Sequence, residues 1–540
     1  MHPSATSRLE GTDGMDTTRP AASRDTTFSF AAVIRAQARE RANTPALTFG
    51  DETRTFAELD LRSTQLANSL IAAGVGQGDR VAVLSKNAPV FYELAFACSK
   101  AGAVLAGLNW RLAPAEIEAV VSDAEPTVIV VADEQRLLLT DAALATPAIR
   151  LVLSLERDYE RFLGGGSAED PLHPSDPDDV ALLLYTSGTT GVPKGAELTN
   201  RNLSYTEDLA REAWSFTSAS VNLVGMPMFH IGGIGYGMAA MIVGGHTVLI
   251  RDNDPSSIIA AVTRHRVTHA FFVPAVIQAV ISAPEVQAAD LSGLELVVYG
   301  ASPIGDAVLR RAIEVLGCSF TQNYGMTETA GSIVALPPED HQPDDPVRAA
   351  LLRSCGRAVP WIETALFDPS TGSPVPTGAV GEIWVRGPMV MRGYRNKPDE
   401  TARTITPDGW LRTGDAAFAD EAGYLFLFDR FKDMIVSGAE NIYPAEVENV
   451  LYEHPAIAEV AVIGVPHERW GETPMAIVVL RRGAKLDGPA LVEFARTRLA
   501  RYKCPTTVEF VDALPRNASG KVLKKELRAP HWAGRDRAIS

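Results

Sequence analysis

With 540 residues, a formal net charge of −16, 46% hydrophobic and 21% charged residues, the chain has the make-up of a globular protein too long for one core, so at least two domains are expected. So acidic a surface repels phosphate backbones and anionic membranes, which argues against nucleic acid as a partner; a small phosphate ligand stays open, because local donors and a metal override a global field. The four cysteines, Cys98, Cys318, Cys355 and Cys504, form no CxxC pair, which argues against a zinc site or a disulfide framework and fits structural thiols in a reducing cytoplasm.

Residues 1–27 are polar, rich in Ser, Thr, Asp and Arg, and lack the apolar centre of a secretory signal; they read as a disordered tail. From residue 28 onward, short β-branched runs alternate with helical patterns. The first of these are a helix over 57–73, a strand over 80–84, a helix over 114–122 and a strand over 127–132. Alternation of this kind predicts an α/β fold with mostly parallel sheets.

The run Leu182-Leu-Leu-Tyr-Thr-Ser-Gly-Thr-Thr-Gly-Val-Pro-Lys-Gly195 is an apolar strand entering a loop with four hydroxyl side chains, three glycines and one lysine. Glycines let the backbone approach a phosphate closely, hydroxyls add donors, and Lys194 supplies a point charge. The candidate phosphate contacts are therefore Thr186, Ser187, Gly188, Thr189, Thr190, Gly191 and Lys194. The spacing is not that of a Walker A loop, since Pro193 precedes the lysine and Gly195 follows it.

Next comes Pro227-Met-Phe-His-Ile-Gly-Gly233, with a lone His230. The stretch 231–250 approaches bilayer-spanning length, but six glycines and His246 favour a buried Gly-rich helix followed by a strand. A strand over 294–299 ends in Val298-Tyr-Gly-Ala-Ser302, a helix covers 306–316, and Gln322-Asn-Tyr-Gly-Met-Thr-Glu328 follows the next strand. Loops at strand C-termini are where open α/β sheets bind ligands. Tyr324 could stack on a base there, and Glu328 is a hard oxygen ligand suited to Mg2+ bridging phosphates. Taken alone, that segment reads equally well as a loop with a helix N-cap at Thr327.

Over 360–430 turn signals crowd between short strands, which suggests a β-rich subdomain of hairpins. Within it, Trp410-Leu-Arg-Thr-Gly-Asp415 ends in a carboxylate able to accept bonds from both hydroxyls of a ribose. Beyond Asp429-Arg-Phe-Lys-Asp433 the pattern returns to compact α/β: a helix over 444–452, strands over 460–465 and 475–480, and a helix over 491–499. The expected division is a tail over 1–27, a large multi-subdomain domain over 28–431, and a small C-terminal α/β domain over 432–540.

The loop 182–195 and the motifs that follow it, in this order, resemble the AMP-forming acyl-CoA synthetases of the adenylate-forming superfamily over essentially all of the chain after residue 28. The resemblance implies that the backbone of Gly300, Ala301 and Ser302, with Asn323, Tyr324 and Gly325, frames adenine. It implies that Thr327 touches phosphate, Glu328 holds magnesium, Asp415 and Arg430 grip the ribose, and Lys432 is the hinge of a mobile C-terminal domain. Lys521, in Pro515-Arg-Asn-Ala-Ser-Gly-Lys521, falls at the position of the lysine that enters the active site during adenylation, with Lys194 and Thr327 as the other catalytic groups. His230 falls at a pocket gate beside the acyl carboxylate, with Gly233, Val273 and Ala301 lining an apolar acyl pocket. Ser437, Gly438, Ala439 and Glu440 belong to the segment that swings in to line a pantetheine tunnel, where Ala439 replaces the usual second glycine. Arg501-Tyr-Lys-Cys-Pro505 matches a further family turn.

The implied reaction consumes ATP with Mg2+ to make acyl-AMP from a hydrophobic acid, a medium- or long-chain fatty acid by the apolar pocket, and then transfers the acyl group to CoA. An enzyme loading a separate carrier protein and a catalytically silent nucleotide- or acyl-binding protein are the alternatives. Expected partners are the small-molecule acid, ATP and CoA, without nucleic acid and without an integral membrane segment. The oligomeric state stays open, a homodimer being one option.

Overall fold

The computed structural model describes residues 28–186, 193–302, 304–430, 433–437, 440–516 and 522–533, with only the backbone described for 428–430 and 440–441. The predicted tail and the site candidates Ser187, Gly188, Thr189, Thr190, Gly191, Lys432, Gly438, Ala439 and Lys521 lie outside the described residues.

Two large mixed sheets carry the N-terminal part. One has nine strands, with the parallel strands Val221–Val224, His269–Phe272, Leu296–Gly300 and Ser319–Met326 side by side at its centre. The other has seven, in which Arg80–Leu84, Val104–Gly107, Val128–Val131 and Val180–Thr186 run parallel. The parallel strands of the seven-stranded sheet are mostly apolar, as expected where helices cover both faces of a parallel sheet, whereas Ser319–Met326 carries Thr321, Gln322 and Asn323. A third, four-stranded antiparallel sheet is the hairpin region foreseen over 360–430. The fourth, five-stranded sheet is built from residues 435–510 and forms a small C-terminal α/β domain with its own apolar core, including Ile435, Val447, Val462, Val478 and Leu491.

Local chemistry places the helices. Thr55 caps Phe56–Ala72 with a reciprocal Glu58 box, and Gly317, at φ +62°, ends Asp306–Leu316 in the left-handed region. Pro444–Tyr452 runs over the residues the sequence predicts, whereas the helix foreseen at 491–499 spans Gly488–Arg496 after the cap at Asp487.

The Gly-rich stretch is a helix, Ile231–Ile242, followed by a strand, His246–Leu249. It is apolar all round because it is packed on two sides. Ile234, Met238 and Met241 join the core under the seven-stranded sheet, while Tyr236, Ala239 and Ala240 join the core beneath Leu296, Val298 and Val334 of the nine-stranded one. No helix among the described residues is long and apolar enough to cross a membrane. Cys98, Cys355 and Cys504 are buried, and burial pushes the thiols of Cys98 and Cys355 far up, so they pack as inert apolar side chains.

Candidate active site

The phosphate-loop strand Val180–Thr186 turns back as the antiparallel strand Lys194–Thr199, with Thr186 and Lys194 paired across the mouth of the hairpin. The lysine side chain is 12% exposed; its Nζ pairs with Glu400 on the short helix Pro398–Thr404 and lies 5.3 Å from the ring of Tyr394. That ammonium, by its hydrogen bond first, holds the Glu400 carboxyl below the usual carboxylate range. An anion already sits on the cation that a nucleotide phosphate would approach.

Glu328 is buried beside this hairpin. Its Oε1 accepts hydrogen bonds from the Tyr394 hydroxyl (2.7 Å) and from Thr186 Oγ1 (3.3 Å), and its backbone carbonyl accepts from the Met391 amide. Thr327 precedes it in the turn Thr327–Thr329, where the Thr329 hydroxyl accepts from the Met326 amide. Among the described residues no cluster of three or more His, Cys, Asp or Glu could cage a metal unaided. One carboxylate held rigidly beside a phosphate loop does fit Mg2+, which takes one or two protein oxygens and completes its shell with phosphates and water.

The loops expected to hold the nucleotide converge from two sheets. Gly300 and Asn323 are partners on adjacent parallel strands, and a Cβ on Gly300 would stand 2.2 Å from the Asn323 carbonyl, so only glycine allows this approach. Ala301, immediately after it, is left-handed at φ +65°, a strained conformation for alanine that turns the chain away from the strand end toward Ser302. Gly325 is as tight, its absent Cβ lying 1.9 Å from the Gly331 carbonyl. Tyr324 donates its hydroxyl to Asp415 Oδ2 at 2.8 Å, which ties the end of the strand Ser319–Met326 to the four-stranded sheet. Asp415 and Arg430 face each other in antiparallel register, and the Gly414 turn before the aspartate is fixed by Glu382, which accepts from the Gly414 amide. The Asn323 side chain is turned inward: with its amide oriented to suit its neighbours, its oxygen accepts from the Trp214 indole N–H at 2.6 Å.

Around the start of the helix Ile231–Ile242 several groups are half-buried: His230, Ile231 and Gly232 themselves, and Phe271, Met326 and Ser332 on neighbouring strands. His230 caps the helix Ile231–Ile242. Its Nε2 is buried with no partner, and burial, with the charge of Arg111, lowers the imidazole to about 4, so it is neutral at pH 7. Gly232 lies against the ring of Phe271, 3.0 Å from where its Cβ would stand, whereas Gly233 is pressed against the backbone of Pro227 and Met228, leaving no room for a Cβ. Val273 is buried at the start of the helix Pro274–Ser282. The residues expected from the sequence at an acyl pocket are small or apolar; Trp214 and Phe271, which pack against Tyr236 of the same helix, lie on segments with no motif of their own. Tyr394 and Glu400 were missed for the same reason; Pro398-Asp-Glu400 reads as an ordinary acidic helix start.

Of the thiol-tunnel candidates, Ser437 is half-buried on a short strand, in register with Gly471 and with the backbone of Glu440. In the turn Arg501–Lys503 the lysine is held by both carboxylate oxygens of Glu446.

The family model of the AMP-binding enzymes matches residues 34–395, and the model of the AMP-binding enzyme C-terminal domain matches residues 446–521. A feruloyl-CoA synthase of Amycolatopsis sp is 42% identical over 496 residues, covering 91% of this chain and 97% of that protein. The fatty acid–[acyl-carrier-protein] ligase ScoC of Streptomyces coeruleorubidus is 37% identical over 508 residues, covering 93% and 96%. Among solved structures, the anthranilate CoA ligase AuaEII in complex with anthranoyl-AMP superposes with a TM-score of 0.87 at 25% identity, covering 94% of this chain and 98% of that one.

Proposed function

The chain belongs to the AMP-binding enzymes and is an AMP-forming acid–thiol ligase of the acyl-CoA synthetase kind; from that premise we propose that it activates a hydrophobic carboxylic acid with Mg·ATP as acyl-AMP and passes the acyl group to CoA, releasing AMP and pyrophosphate. The observation that carries this reading is the joint at Glu328. One buried carboxylate ties the strand end of the phosphate loop, through Thr186, to Tyr394, beside which Lys194 is held.

Catalysis at such a site is mainly positioning and charge neutralisation. Lys194 leaves Glu400 for the phosphates, Asp415 and Tyr324 fix the ribose and base, and neutral His230 borders the acid without competing for its charge. Glu328 would hold Mg2+, which when bound neutralises and orients phosphate oxygens. Lys521 would reach the acid carboxylate and the α-phosphate in the first step. Rotation of the small domain at Lys432 would then bring the segment 437–440 to the thiol. The setting proposed is the cytoplasm.

Small apolar lining points to a medium- or long-chain fatty acid. The rings of Trp214, Tyr236 and Phe271 packed along the helix that His230 caps favour a compact ring-bearing acid instead, in keeping with relatives named for feruloyl-CoA and anthranilate chemistry. Transfer to a carrier protein is the second reading, favoured by the likeness to ScoC. Acid-dependent ATP–pyrophosphate exchange, followed by product analysis with CoA, separates the cases. Acyl-CoA supports the full proposal, acyl-AMP without acyl-CoA points to a carrier, and absence of exchange refutes it. Lys521→Ala should abolish exchange; if exchange survives, the role given to that lysine is wrong.

A further inference from the structure

The segment that leads to His230 leaves the nine-stranded sheet at the end of Val221–Val224 and is buried from Gly225 to Phe229. Beyond the strand its backbone has no ladder to join, yet buried carbonyls and amides must find partners. Asn87 supplies several of them. Its side chain, on a residue only 5% exposed, accepts from the Met228 amide at 3.0 Å and donates to the carbonyls of Met226 at 3.0 Å and Ile250 at 3.1 Å. The Gly225 carbonyl lies at 3.5 Å from the same nitrogen. These partners leave the carboxamide one orientation, since its oxygen faces an N–H and its nitrogen faces carbonyls.

Asn87 comes from the other large sheet, 138 positions from Gly225 and 163 from Ile250. It stands in the short turn between the strand Arg80–Leu84 and the helix Val90–Ala101, which is buried along nearly its whole length, so its base is stiff. Ile250 follows His246–Leu249, the strand paired with Val221–Val224, and one carboxamide therefore spans the C-terminal ends of two adjacent strands. Ligand loops of open α/β sheets gather at such ends. A second contact holds the same segment: Gly107 ends the strand Val104–Gly107, and a Cβ on it would stand 2.9 Å from the Phe229 Cα. The His230 amide is in turn bonded to the Pro227 carbonyl at 3.0 Å, so little slack separates Asn87 from the imidazole. The ion pair of Lys86 with Asp252 also links these segments, but its partners are 27% and 56% exposed and it holds them weakly.

We propose that Asn87 is a positioning residue for acid activation: through the backbone of Gly225–Met228 it sets His230 and the start of the helix Ile231–Ile242 against the acid, without touching acid or nucleotide. This rests on the acid-activating reading above and deepens it by naming the side chain that registers the two large sheets on the acid side of the site.

The test is ATP–pyrophosphate exchange by the full chain with benzoate, cinnamate and decanoate, beside a thermal melt. Asn87→Ala should lower kcat/KM for the best of these acids by about tenfold, since a displacement of about 1 Å costs about 10²-fold and the Gly107 contact limits the shift. The KM for ATP should stay within about twofold, because the bonds of Asn87 go to the 225–228 segment and Ile250. Gly107→Ala, which pushes on Phe229 with Asn87 intact, should give the same acid-selective loss. Thr55→Ala, which removes the cap of the helix Phe56–Ala72, should lower the melting midpoint and leave kcat/KM for the acid unchanged. An unchanged acid kcat/KM in Asn87→Ala, or equal losses toward acid and ATP, would overturn the inference and leave acid activation intact. So would an equal acid-selective loss in Thr55→Ala. If Asn87→Ala does not fold, Gly107→Ala decides by the same criteria. No exchange by the unaltered chain with any of the three acids would overturn the acid-activating reading and the inference with it.

Discussion

Gly325→Ala should separate folding from chemistry. The added methyl would stand 1.9 Å from the Gly331 carbonyl, where real contacts stop near 3.0 Å, and both atoms are backbone, so no side chain can swing aside. The pair of strands must open by about 1 Å between Tyr324 and Glu328, the segment that holds the Asp415 bond on one side and the Thr186 and Tyr394 bonds on the other. Overpacking of this size destabilises by about 1–3 kcal/mol, which in a protein this large lowers the melting midpoint by only a few degrees. Misplacing catalytic groups by about 1 Å, in contrast, reduces the rate by about 10²-fold, or roughly 2.7 kcal/mol of barrier. The assay is ATP–pyrophosphate exchange at saturating ATP and acid, beside a thermal melt. A variant that melts a few degrees lower and exchanges at the wild-type rate would show that the close approach of Gly325 to Gly331 does not set the geometry of the site.

Tyr324→Phe removes a hydrogen bond to a carboxylate, worth about 1.5–3 kcal/mol when charged, and should raise the KM for ATP by about tenfold or more; an unchanged KM means Asp415 does not need that tether. Glu400→Gln frees Lys194 from a pair that ATP must otherwise break, so the KM for ATP should fall, while the melting midpoint moves by about a degree because a pair with partly exposed partners adds little stability. A rise in KM would mean instead that Glu400 aims the lysine. His230, His246, His269 and His341 are all lowered to about 4, chiefly by burial. Between that value and the unfolded value near 6.5 the unfolded chain binds more protons, so stability is fully present above about pH 6.5 and is lost as pH falls toward 4, by up to about 1.4 kcal/mol per pH unit for each histidine. Urea midpoints across pH 4.5–7 should show this slope, and His269→Phe should flatten it by one histidine's share; a flat wild-type profile contradicts the assignment.

The amino-acid sequence determined by itself whatever depends on neighbours along the chain. The strand Val180–Thr186, the buried Gly-rich helix at 231–242, the hairpin region over 360–430 and the helix Pro444–Tyr452 were legible because periodicity, glycine, proline and caps act over a few residues; the return strand Lys194–Thr199 was not. Glu328 and Asp415 could be singled out as candidates for a related reason: each stands in a short motif. What only the tertiary structure decided are the contacts between distant segments. Lys194 meets Glu400 across 206 positions, Thr186 meets Glu328 across 142, and Tyr324 meets Asp415 across 91. No local signal marks Glu400 or Tyr394, since an acidic helix start and a buried tyrosine serve equally well as plain structure. The pocket shows the difference most sharply. Glycines and small apolar residues along 231–237 promised space, but the neighbours of that helix include Trp214 and Phe271, which reach it from separate segments. The sheets fix how those rings meet Tyr236, a property of packing that no stretch of the chain carries alone.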